Sequence, residues 1–125
     1  MSKELDPEID NTIDTSDLST EFKNLPPTMY GYRVELASAE HGYDLAKATY
    51  EELRSAKYLE IRSREGKVTE ATVEATLDID PEIKAAKRKM LEAKRDMETV
   101  DGFMESLRAK KDMLIQLGAD ARKEQ

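Results

Sequence analysis

The chain has 125 residues, of which 38% are charged and only 6% aromatic, so one domain built around a thin apolar seam is expected. With no cysteine there is no disulfide framework, thiolate metal site or cysteine nucleophile. A net charge of −7 argues against indiscriminate nucleic-acid binding. The sequence contains no apolar run of membrane-spanning length and no signal-peptide core, which places the expected location in the cytoplasm.

The charge is uneven. Residues 1–30 hold seven acidic residues and two lysines, while the remainder holds 20 acidic and 18 basic residues. Residues 1–28 therefore read as an acidic arm on a nearly neutral helical body, residues 29–125. Asp6-Pro7 can start a short helical turn. Leu18, Phe22 and Leu25 share one face of a short amphipathic helix opening after Ser16 or Asp17. Pro26-Pro27 is expected to end it, because neither residue has a backbone N–H to donate. The arm reads either as a mobile tail or as a strap docked through Leu18 and Phe22 onto a neighbouring subunit.

Met29 to about Arg64 reads as the first long helix, with Tyr32, Leu36, Ala39, Tyr43, Ala46, Tyr50, Leu53 and Ile61 on its inner stripe. Glu65-Gly66-Lys67 is a turn. A short helix follows, capped by Thr69 and running to about Leu77. Asp78-Ile79-Asp80-Pro81 is the corner into the last helix, with Asp80 as N-cap and Pro81 at the first helical position.

That last helix dominates the pattern. Ile83, Ala86, Met90, Ala93, Met97, Val100, Met104 and Leu107 form an unbroken a/d heptad, and Gly118 is the expected C-cap. The fold class is all-α: two long helices joined by a short helical connector, with coiled-coil-like packing. The seam exposes too much apolar surface for a two-helix monomer, so an oligomer is expected through Ile83, Met90, Met97, Val100, Met104 and Leu107, joined by the arm's Leu18 and Phe22.

No feature points to an enzyme, a cofactor or a metal. The single histidine, His41, stands among Glu40 and Asp44 without a converging ligand set. There is no phosphate loop, nucleophile elbow or zinc spacing. The bases are more informative. Lys47, Arg54, Tyr58 and Arg62 form a stripe on the first long helix, with Lys57 nearby and Arg64 and Lys67 extending it into the turn. Lys87, Arg88, Lys94 and Arg95 line one flank of the last helix. Cations beside an aromatic ring suit single-stranded nucleic acid, with phosphates on the charges and a base on the ring. Charges flanking a coiled-coil seam also make interhelical salt bridges, and both readings stand.

Three short motifs resemble the UvsY-type recombination mediators of tailed phages. Ile13-Asp14 with Leu18 and Glu21 is similar to an I-D-x-x-x-L-x-x-E pattern. Leu77, Asp80, Glu82 and Ile83 are similar to an L-x-x-D-x-[DE]-[VI] corner. Leu107-Arg108-Ala109-Lys110 with Leu114 and Leu117 matches a basic-then-apolar ending. The resemblance implies a helical homo-oligomer of six or seven subunits in the cytoplasm of a phage's host. It implies binding of single-stranded DNA, with a strand-exchange recombinase and a single-strand DNA-binding protein as partners, and no hydrolysis. The DNA-binding bases would lie near the end of the first long helix, around Arg54, Lys57, Arg62 and Arg64. The family is more basic than this chain. The alternative is a structural or adaptor coiled coil without a nucleic-acid role.

Overall fold

A computed structural model describes residues 4–124. Every regular element among them is helical: α1 (Pro7–Asp10), α2 (Leu18–Glu65), α3 (Glu70–Ile79) and α4 (Pro81–Lys123). The two long helices α2 and α4 pack against each other. The chain divides into two compact units, Met1–Ser38 with Glu98–Gln125 and Ala39–Met97. Helices α2 and α4 contribute to both, and each unit has its own core.

The first unit is built on Leu25, Tyr32, Met104, Leu107 and Leu114. Its strap, residues 4–17, packs Leu5 and Ile13 against this core, and Leu18 at the start of α2 joins them. Both sequence-level anchors thus find partners in their own chain: Leu18 in the core, and Phe22 with its ring 3.3 Å from the position a Gly118 Cβ would occupy. Asp17 caps α2, accepting from the Thr20 amide at 3.2 Å.

Two expected helix ends are corrected. Helix α2 does not stop at Pro26-Pro27 but passes through both, so the long helix expected to begin at Met29 begins at Leu18. The missing amide hydrogen bonds are offset by packing on either side, where Leu25, Thr28 and Tyr32 are buried against the unit's interior. Likewise α4 does not end at Gly118, whose φ is not positive. Glycine there admits the Phe22 ring, a packing requirement that looks like a cap in sequence.

The second unit is built on Ile61, Val73, Leu77 and Ile83, with Tyr50, Leu53, Tyr58 and Val68 packed around them. Gly66, with φ of 64°, makes the left-handed turn that leaves α2. Thr69 caps α3, accepting from the Thr72 amide at 3.2 Å. Asp80 then caps α4, its Oδ1 accepting from the Glu82 and Ile83 amides at 2.9 and 3.0 Å. The expected inner stripe of α2 and seam of α4 both face inward. Their burial is incomplete, however: Tyr43, Ala46, Met90, Ala93 and Met97 remain half-buried.

Candidate nucleic-acid interface

The second unit holds all of the candidate DNA-binding residues, and it treats the two sets differently. Those on the last turns of α2 face α3 and the corner before α4. Arg54 pairs with Glu74 and, at 3.4 Å, with Asp78. Lys57 Nζ lies 2.8 Å from Asp80 and 3.4 Å from Glu82. Arg62 pairs with Glu70 and donates to the Val68 carbonyl. The Tyr58 hydroxyl donates to the same Glu70 at 2.7 Å, and the Arg62 guanidinium lies 5.4 Å from the Tyr58 ring centroid.

This is a clamp on the connector, and its electrostatics follow from its geometry. The hydrogen bond from Lys57, then those from the Ile83 and Glu82 amides, hold the Asp80 carboxyl below its ordinary range. The Tyr58 hydroxyl and then Arg62 do the same for Glu70. Asp80 therefore caps α4 and anchors Lys57 at once. The three cations and the ring expected to meet DNA are turned to protein partners here, as the salt-bridge reading requires. Of the rest of that stripe, Arg64 pairs within α2 with Glu60 at 3.0 Å, while Lys47 and Lys67 make no ion pair among the described residues, Lys47 exposed along α2 and Lys67 exposed in the turn.

The flank of α4 is arranged otherwise. Lys87, Arg88 and Lys94 are exposed and make no ion pair among the described residues, and Arg95 is exposed beside them. Two neighbours outside the predicted flank, Lys84 and Lys89, are also exposed. Residues 84–95 thus carry six cations and one carboxylate, Glu92. Helical spacing sets Lys84, Arg88, Leu91 and Arg95 along one face, with Lys87 and Lys94 beside it. Leu91, 49% exposed, gives that face an apolar spot. The signal in the sequence was the local density of like charge, which a heptad reading hides by spreading it over several positions.

The first unit contains a buried polar network that the sequence did not suggest. Lys110 is buried, and its Nζ donates to the Asp10 carbonyl at 2.8 Å. It also lies 2.7 Å from Glu21 Oε2, a buried oxygen that accepts no hydrogen bond among the described residues, so that contact is an ion pair. The Tyr32 hydroxyl donates to Asp10 Oδ2 at 2.9 Å. Burial, followed by the Asp10 hydrogen bond and charge, pushes the Tyr32 phenol well above its ordinary value. Glu21 Oε1 in turn accepts from the Asp14 amide at 3.4 Å. Ile13, Asp14, Leu18 and Glu21, which carry the first motif of the resemblance, together fasten the strap.

His41 is exposed, and among the described residues no cluster of three or more groups could hold a metal ion. No helix of the described residues is long and apolar enough to cross a membrane. Comparison with protein-family models, curated proteins and solved structures finds no match, and the reading of function rests on these residues themselves.

Proposed function

We propose that the chain is a non-catalytic recombination mediator of the UvsY type, which binds single-stranded DNA and helps a strand-exchange recombinase load in the presence of a single-strand DNA-binding protein. The observation that carries this reading is the run of exposed cations on α4 between Lys84 and Lys94. It gives an otherwise acidic protein a segregated surface for phosphates. The contact is assigned to that flank, with Lys47 as a further candidate. Arg54, Lys57, Tyr58 and Arg62 act as the connector clamp. The half-buried middle of the seam, Met90 to Val100, together with Leu45 at 56% and Leu59 at 67% exposure, supports a homo-oligomer in which coiled-coil packing continues between copies, while Ile83, Met104 and Leu107 are buried within the chain itself. A ring of six or seven, working in the host cytoplasm, is the form the resemblance implies.

The test is titration of a labelled single strand at two salt concentrations. Replacing Lys87, Arg88 and Lys94 by alanine should weaken binding and flatten the slope of log K against log salt by about 0.7 for each phosphate no longer neutralised. Arg54→Ala with Arg62→Ala should lower the melting temperature and leave the isotherm nearly unchanged. No binding by the wild-type protein at low salt rejects the mediator. The second reading, a structural coiled coil without a nucleic-acid role, would then stand. It draws on the pairing of Arg54, Lys57 and Arg62 with carboxylates.

A further inference from the structure

The first unit contains a groove of about 910 Å³ bounded by the strap, the Pro27–Glu35 stretch of α2 and the Val100–Phe103 turn of α4. Its size is that of a ligand or peptide site. Leu5, Tyr32, Val100 and Phe103 make an apolar floor. Gly31 shapes it: Leu5 Cδ2 lies 3.0 Å from where a Cβ would stand, so the strap seats directly on the α2 backbone. On the lip, Tyr30 is 69% exposed and Val34 50% exposed, which leaves ring and methyl surface uncovered.

The charge of the groove selects its guest. Among the described residues, the charged ones lining it are Glu4 and Glu35, both exposed and neither ion-paired. The unit around it holds 14 acidic and eight basic residues, so it carries −6 of the chain's −7. A guest bearing a carboxylate or phosphate is repelled, and a cation is drawn in. On the helix surface Val34 and Gly31 lie between Tyr30 and Glu35, which sets a ring and a carboxylate on opposite sides of a shallow apolar gap. A guanidinium suits that arrangement better than an ammonium. It is planar, stacks on an aromatic ring, is weakly hydrated and forks onto a carboxylate.

We propose that this groove docks a segment of a partner protein presenting an arginine flanked by apolar side chains. The guanidinium stacks on Tyr30 and pairs with Glu35 or Glu4, while its apolar neighbours cover Val34 and Phe103. This surface belongs to the first unit and is independent of the DNA reading, which rests on the second.

Calorimetric titration of the full chain with N-acetyl-Leu-Arg-Leu-amide tests it, with the Leu-Lys-Leu and Leu-Glu-Leu peptides as controls. Saturable binding in roughly the millimolar range, near one peptide per chain, is expected for the arginine peptide. Tyr30→Ala should weaken it about two- to fivefold, the strength of a surface cation–π contact. Glu35→Gln should weaken it and reduce its salt dependence. Both positions are exposed, so circular dichroism should be unchanged in each variant. The proposal is overturned if the arginine peptide does not bind, if the lysine peptide binds equally well, or if Tyr30→Ala binds like the wild type.

Discussion

Lys110 joins residues a hundred positions apart, holding both the Asp10 carbonyl and the Glu21 carboxylate. Removing its charge leaves the half-buried Glu21 carboxylate, whose Oε2 is fully buried, without a counterion. Lys110→Met should therefore destabilise the protein by about 3–5 kcal/mol. Lys110→Met with Glu21→Leu should recover most of that, because no charge is then left stranded. Urea denaturation measures both, and a loss below about 1 kcal/mol in the single variant would show the pair to be a spectator. Tyr32 makes a prediction about pH. Its folded pKa lies above the unfolded value of about 10, so its contribution is complete below that pH and is lost as pH climbs past it. Stability should fall on the alkaline side, and the fall should be smaller in Tyr32→Phe. Equal alkaline profiles for the two proteins would remove Tyr32 as the cause.

At the scale of elements, the long helices contain residues that weaken them for distinguishable reasons. Gly118 is spent on the Phe22 ring and Gly31 on Leu5. Gly42 and Gly102 have nothing within 4 Å of a would-be Cβ, and both sit inside helices. Gly42→Ala and Gly102→Ala should each stabilise by roughly 1 kcal/mol, the helix-propensity difference. Thermal melts showing no gain at either position would mean that the glycine meets a surface in an assembled form. Capped helix starts were legible in the sequence because a cap is a local hydrogen bond, and Asp17, Thr69 and Asp80 all make it, whereas the start expected at Met29 lies inside α2. Helix ends were not. Pro26-Pro27 and Gly118 are breakers by local rules, and α2 and α4 continue through them because long-range packing outweighs a propensity of this size.

For the whole molecule, assembly turns on the half-buried middle of the seam, Met90 to Val100. Met97 lies in it on α4, only partly covered within its own unit. Met97→Lys should leave helicity close to wild type, since a long side chain at a half-buried site can reach water, but should disrupt association between copies. Sedimentation or light scattering checks this, and a wild-type protein that is a folded monomer at micromolar concentration would defeat the oligomer.

The sequence by itself determined the all-helical class, the inward stripe from Tyr32 to Ile61, the seam from Ile83 to Leu107, and the turn at Gly66. Each of these is a periodic or nearest-neighbour property, readable from spacing and from residues a few positions apart. Only the tertiary structure decided the fate of the charges. In sequence Arg54, Lys57 and Arg62 look as available as Lys87, Arg88 and Lys94. In space the first three meet Glu70, Glu74 and Asp80 across a connector, while the second three meet no carboxylate among the described residues. The same holds for the strap, whose acidic composition leaves a mobile tail and a docked strap both open until Lys110 and Tyr32 are brought against Asp10. Helical periodicity specifies which face a side chain occupies. Which opposite charge stands across from it depends on how the chain turns back on itself, and no local pattern encodes that pairing.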